Sequence, residues 1–101
     1  MQFVITARDG RDAAAPARRL AVRPAHLERA ARLQRDGHLI AGGALLDEAG
    51  GMIGSTMYVD FPDRAALDAW LKSDPYVTGG VWLDIEVQPI RLAFGGPAAA
   101  K

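Results

Sequence analysis

Met52-Ile53-Gly54-Ser55-Thr56-Met57-Tyr58-Val59-Asp60-Phe61-Pro62-Asp63 decides the fold. Ile53, Ser55, Met57, Val59 and Phe61 fall on one side of an extended chain and Met52, Gly54, Thr56, Tyr58 and Asp60 on the other. This period of two defines a strand over 52–61 with one apolar face. Pro62 and Asp63 then open a helix, with proline at the first turn and an acid near the positive end of the helix dipole. Its apolar stripe is Ala66, Leu67, Trp70 and Leu71, and Asp74-Pro75 ends it, because a residue before proline is pushed out of the α region.

Upstream of this stretch, Asp47 to Gly51 reads as a hairpin loop and residues 38–46 as a strand, in which Gly42-Gly43 signals a bulge or a close backbone approach. Before that strand, a helix covers 24–36, with Pro24 in its first turn and Gly37 as its C-terminal glycine. Residues 10–17 read as a loop; the Arg18-Arg19 stretch leaves helix and loop both open and is a candidate wall of a pocket. A first strand covers 2–7 and ends at the turn signal Asp9-Gly10. Downstream, 81–92 alternates again, Val81, Leu83, Ile85 and Val87 against Trp82, Asp84, Glu86 and Gln88. The order βαββαβ specifies an α+β, ferredoxin-like fold: a four-stranded antiparallel sheet with two helices on one face. The other face, to which Tyr58, Trp82, Ile90 and Leu92 add apolar surface, calls for a cover, and a second copy in a homodimer is the expected one.

The chain has 101 residues, half of them apolar and a quarter charged, and no cysteine. That suits one domain over 1–94 with a frayed tail at 95–101, and it removes disulfides, thiolate metal sites and cysteine nucleophiles. No run approaches the roughly 18 apolar residues of a membrane span, and the start lacks a signal-peptide pattern, so the expectation is a cytoplasmic protein without a membrane partner. Net charge is zero but polarised: residues 1–35 hold eight arginines against three acids, and residues 36–101 four basic residues against nine acids. This favours steering a small anion over binding nucleic acid, which usually meets a net basic surface.

Two segments about fifty residues apart carry the candidate chemistry: Arg23-Pro24-Ala25-His26-Leu27 and Ser73-Asp74-Pro75-Tyr76. At about 100° per residue, Leu33 and Ala30 fall beside His26 on the apolar stripe, and Arg23 shares its face. An imidazole at the margin of a buried face combines desolvation with access, and a carboxylate partner would fix its tautomer. Arg23 is a candidate clamp for an anionic or enolate oxygen. Ser55, a hydroxyl among apolar neighbours, needs a partner or lines a pocket. Tyr76 completes the candidate substrate-binding set, with packing as its competing role, as for Trp82. The two histidines, 26 and 38, lack a metal-ligand spacing, and the paired glycines do not form a phosphate loop, so no metal and no cofactor are expected.

With Gly37-His38-Leu39, Ala41-Gly42-Gly43 and Gly80-Val81 in the same order, these segments make the chain from Phe3 to about Phe94 resemble the YciI-like family, built on the YCII domain. That resemblance implies a dimeric α+β barrel and a histidine and aspartate acting together, here His26 and Asp74, near each other in space. It also implies a small acid/base enzyme, with proton transfer or elimination of the dehydrochlorinase kind as the analogy. A non-catalytic dimer that binds a small ligand or partner is the competing reading. An oxidative monooxygenase of the same fold is a third, with no cofactor signature to support it.

Overall fold

A computed structural model describes residues 1–95. The elements are β1 (Gln2–Asp9), α1 (Ala15–Arg35), β2 (Leu39–Leu46), β3 (Met52–Asp60), α2 (Arg64–Lys72), α3 (Pro75–Thr78) and β4 (Trp82–Pro89). Four antiparallel strands form one sheet in the order β2-β3-β1-β4, the ferredoxin-like arrangement, with the helices on one face. β1 and β3 lie in the middle, and their alternate side chains Phe3, Ile5, Ala7, Met57 and Val59 are buried under the helices. Leu33 of α1, Leu67 and Leu71 of α2, Tyr76 of α3, and Phe61, Val81 and Trp82 complete the core. Of the tail expected at 95–101, residues 96–101 lie outside the described residues.

Four local expectations are corrected. First, α1 starts at Ala15, not Pro24. Pro16 occupies its first turn, and Pro24 lies inside the helix. An internal proline removes one N–H and crowds the carbonyl four residues back, that of Leu20. Leu20 and Pro24 are both exposed, so water can serve the freed carbonyl. The Arg18-Arg19 stretch is therefore helical. At its other end α1 stops as expected: Gly37, with φ +85°, donates its N–H to the Gln34 carbonyl, and His38 N donates to Leu33 O.

Second, Pro62 precedes α2 instead of opening it, and Asp63 is the N-cap, its carboxylate accepting from Ala66 N. Third, the register shifts of β2 fall not at Gly42-Gly43 but between Leu39 and Ala41 and between Leu45 and Leu46, while the close backbone approach holds at Gly42, where a Cβ would come within 3.3 Å of the Thr56 carbonyl oxygen. Fourth, the alternation of 81–92 breaks. Arg8 pairs with Asp84 but Asp9 with Trp82, so Leu83 is skipped. The bulge flips Trp82 onto the core side, 4% exposed, and leaves Leu83 67% exposed. Trp82 therefore does not belong to the helix-free face, where Arg8, Asp84 and Glu86 accompany Val4, Thr6 and Tyr58.

Candidate active site

Asp74 is held by the junction of two helices. α2 has ended at Ser73, and the next residue is extended (φ −70°, ψ 136°) because Pro75 follows it. From that position the side chain caps α3, Oδ2 accepting from Tyr76 N at 3.0 Å, and the whole residue is sealed from solvent. α1 packs across α3 and brings two side chains onto the same carboxylate. His26 Nδ1 lies 2.8 Å from Oδ2, and Arg29 Nη1 donates to Oδ1 at 3.0 Å. Arg29 is anchored in turn by Ser73 Oγ at 2.9 Å and by the face of Trp70.

An ionised carboxylate only accepts, so a neutral His26 imidazole paired with it carries its proton on Nδ1 and its lone pair on Nε2. Nε2 has no protein partner among the described residues, while the imidazole itself is 7% exposed. Tyr76 stacks on the imidazole, ring centroids 3.9 Å apart, and Trp82 meets both rings edge-on. Burial raises the Tyr76 phenol above the ordinary tyrosine value of 10.0, so it stays protonated at neutral pH.

His26 borders a cavity of about 390 Å³ between α1 and the β2–β3 side of the sheet. Arg23, Ser55 and Tyr76 line it too, so the structure brings the sequence-derived candidates around one space, Asp74 behind its wall. Leu27, Ala30 and Met57 supply apolar wall, and Gly42 and Gly43 leave room at the β2 side. Arg23 is half-buried and has no carboxylate within ion-pair distance among the described residues. The cavity therefore carries an uncompensated positive charge, which suits an anionic group. Among the described residues no three histidine or acidic side chains converge as a metal set, and no helix is long and apolar enough to cross a membrane.

Sequence reasoning missed Asp9 and Arg29, and it had Arg19 only within a segment offered as a pocket wall, without a role. Arg19 Nη1 is held by both Asp9 carboxylate oxygens at 3.0 Å, its Nη2 donates to Ser55 Oγ at 2.9 Å, and its guanidinium lies 4.7 Å from the Tyr76 ring centre. The available signal was spacing: Arg19 is seven residues before His26, two turns along the same face. Reading the helix as beginning at Pro24 hid it.

The YCII-related domain matches residues 1–91. Protein YciI of Escherichia coli is 38% identical over 100 residues, covering 93% of this chain and all of that protein. An uncharacterized protein of Haemophilus influenzae is 39% identical over 83 residues, covering 76% of this chain and 85% of its own. Among solved structures, the 5-chloro-2-hydroxyhydroquinone dehydrochlorinase of Burkholderia phenoliruptrix, in complex with 2,5-dihydroxybenzoquinone, superposes with a TM-score of 0.77 at 21% identity, covering 90% of this chain and 94% of that one. An antibiotic biosynthesis monooxygenase superposes at 0.51 with 20% identity, covering 92% and 99%. These low identities speak to fold, whereas the match over residues 1–91 and the 38% identity to YciI establish descent: the chain belongs to the YCII-related domain family.

Proposed function

We propose that this chain is a cofactor-free acid/base enzyme acting on a small, oxygen-rich organic substrate, with His26 as the proton-transfer group and Asp74 as the residue that orients it. One observation carries the reading: the 2.8 Å contact fixes the proton on Nδ1 and leaves Nε2 unpartnered on a residue that borders a cavity large enough for a single-ring compound. Nε2 takes a proton from a carbon of the substrate. The C–H electron pair forms the C=C bond of an enolate. In a chlorinated hydroxyquinol the same exchange run backwards turns one hydroxyl into C=O and places a proton on the chlorine-bearing carbon. A second hydroxyl then gives its proton to Nε2, its O–H pair becomes C=O, the adjacent ring C=C pair shifts to the chlorine-bearing carbon and the C–Cl pair leaves as chloride. His26 then returns the proton to water, so hydrogen chloride is the net loss. Asp74 stabilises the transient imidazolium, and Arg23 holds the anionic oxygen. The dehydrochlorinase that shares the fold supports this class of reaction by analogy.

Chloride release from 5-chloro-2-hydroxyhydroquinone, and deuterium uptake from D2O into small enolisable ketones, test the proposal. His26→Ala is expected to lower either rate by roughly 10² to 10⁴. A folded His26→Ala protein with an undiminished rate overturns it and returns the cavity to the ligand-binding reading.

The homodimer belongs to the same proposal. Val4, Thr6, Tyr58 and Leu45 lie on the face opposite the helices, with Arg8 paired beside Asp84 and Thr6 beside Glu86. A second copy seated there is tested by light scattering at micromolar concentration; a monomer rules it out.

A further inference from the structure

Two residues that line the cavity, Ser55 and Arg19, each carry a hydrogen-bond donor that no described residue accepts. Ser55 Oγ receives two N–H groups, Arg19 Nη2 at 2.9 Å and Trp82 Nε1 at 3.2 Å. Neither a guanidinium nor an indole nitrogen can accept, so both oxygen lone pairs are occupied and the hydroxyl proton is forced outward as a donor. No acceptor among the described residues takes it, and Ser55 is only 4% exposed. The second donor is Arg19 Nε–H. It is buried without a partner, on a residue that lines the same cavity and is 3% exposed. Nε and Nη2 form one edge of the guanidinium, with parallel N–H bonds. An acceptor on Nε therefore lies beside the Ser55 oxygen that already occupies Nη2.

We infer that Ser55 and Arg19 form an oxygen-binding subsite, whose two donors receive a carbonyl or enolate oxygen of the substrate. This deepens the acid/base reading of the same cavity and rests on it for the reaction. The charge balance selects the oxygen. Asp9 grips Arg19 through both carboxylate oxygens, so the pair is close to neutral and suits an uncharged or delocalised oxygen better than a carboxylate. The full positive charge lies instead at Arg23. The substrate is therefore a compound of about one ring with two oxygens, one a carbonyl that gains charge when a neighbouring C–H is ionised and one already anionic. A buried unpaired donor is costly to keep, and a ligand oxygen removes that cost.

The probe is the enolate of 1,3-cyclohexanedione, a one-ring monoanion whose two oxygens sit on separate ring carbons; benzoate, of equal charge but with both oxygens on one exocyclic carbon, is the control. Binding is read by NMR on the Trp82 indole N–H, which is bonded to Ser55. The enolate is expected to shift that resonance and to bind more tightly than benzoate. Ser55→Ala and Arg19→Lys, the latter keeping the charge opposite Asp9 but lacking Nε, are each expected to weaken it by about ten- to a hundredfold. Turnover is read on His26→Ala and the subsite on the enolate-to-benzoate affinity ratio of the protein with His26 intact, so loss of the acid/base reading and loss of the subsite are separately visible. Equal affinity for enolate and benzoate, an unshifted indole, or Ser55→Ala and Arg19→Lys proteins that bind like wild type overturn the subsite. Should either variant fail to fold, the wild-type indole shift and the enolate-to-benzoate ratio decide.

Discussion

Replacing Asp74 by asparagine keeps the shape of the side chain and removes one acceptor. The carboxylate serves three donors: Oδ2 takes His26 Nδ1 and Tyr76 N, and Oδ1 takes Arg29 Nη1. An amide has one carbonyl oxygen, so one of its two orientations must be chosen. With the amide nitrogen toward Tyr76, two donors meet, and the backbone N–H cannot retreat. With it toward Arg29, two donors also meet, but Arg29 is a quarter exposed and can swing into water. The second orientation therefore wins, and the cost is one charge-assisted hydrogen bond, about 1.5–3 kcal/mol, plus weakening of the bond to His26. We expect Asp74→Asn to lose about 2–3 kcal/mol of a total near 5–15 kcal/mol, and so to fold. Asp74→Ala leaves all three donors without an acceptor and is expected to lose about 3–5 kcal/mol. Urea unfolding followed by circular dichroism measures both, and Tm should fall by roughly 4–8 °C per kcal/mol in a domain of this size. In an Arg29→Ala background the asparagine cost should shrink, since its clash has been removed. An asparagine cost below about 0.5 kcal/mol, or one equal to that of alanine, refutes the acceptor count as the origin of the stability.

Three further outcomes are expected. A Cβ at Gly54 would overlap the Ala7 carbonyl oxygen on the neighbouring central strand, so Gly54→Ala should cost about 1–3 kcal/mol in thermal unfolding; a neutral effect would mean that β1 and β3 separate freely. The Arg18 guanidinium holds the exposed Asp12 carboxyl below its ordinary value of 3.8. Stability from this contact is present above that value and lost as pH falls through the lower folded one, so the Tm difference between wild type and Asp12→Asn should shrink as the pH is taken below 3.8 and vanish once the folded carboxyl is protonated. Replacing the buried pair together, Asp9→Leu with Arg19→Met, should leave stability level or raise it by about 1–4 kcal/mol, whereas Arg19→Met alone should cost about 3–5 kcal/mol; a double variant weaker than the single one would show the pair to be a net stabiliser.

What was legible in the sequence was whatever repeats with a period. The alternation of 52–60 named the central strand and its buried face, and the βαββαβ order then followed with the right sheet. Sequence pattern fails where one residue interrupts the period. Pro24 looked like a helix start because proline prefers the first turn, yet a helix tolerates it where its lost bond faces solvent. The skipped Leu83 inverted the expected faces at the start of β4 and moved Trp82 from the supposed dimer surface into the core, beside Ser55. Within the site, the motif residues His26 and Asp74 were readable as a pair only through the family resemblance. Arg29 and Arg19 were not, because an arginine on a mixed helix reads as solvated surface. Only the tertiary approach of α3 and β1 gives each of them a carboxylate.

The arrangement of α1 argues against packing as the reason for its polar face. Arg19, Arg23, His26, Ala30 and Leu33 fall within roughly 80° of one another on the helix, a single stripe pointing toward the sheet. Its C-terminal half is apolar and does what a core-facing stripe does, with Leu33 buried in the main cluster. Its N-terminal half carries three cationic or basic side chains instead, and two of them require buried carboxylates, Asp9 from β1 and Asp74 from the α2–α3 junction. Apolar residues at these positions would cover the same sheet surface without desolvating any charge, and replacing buried ion pairs in this way is commonly neutral or stabilising. Folding alone therefore gives no reason to prefer the polar set. A cavity does: the same stripe lines about 390 Å³ of open space, and each polar group on it has one function left unused, the lone pair of His26 Nε2, the N–H of Arg19 Nε and the charge of Arg23. Three unsatisfied groups of different kinds on residues that line one cavity are what a ligand bearing an acidic proton, an acceptor oxygen and a negative charge would satisfy together.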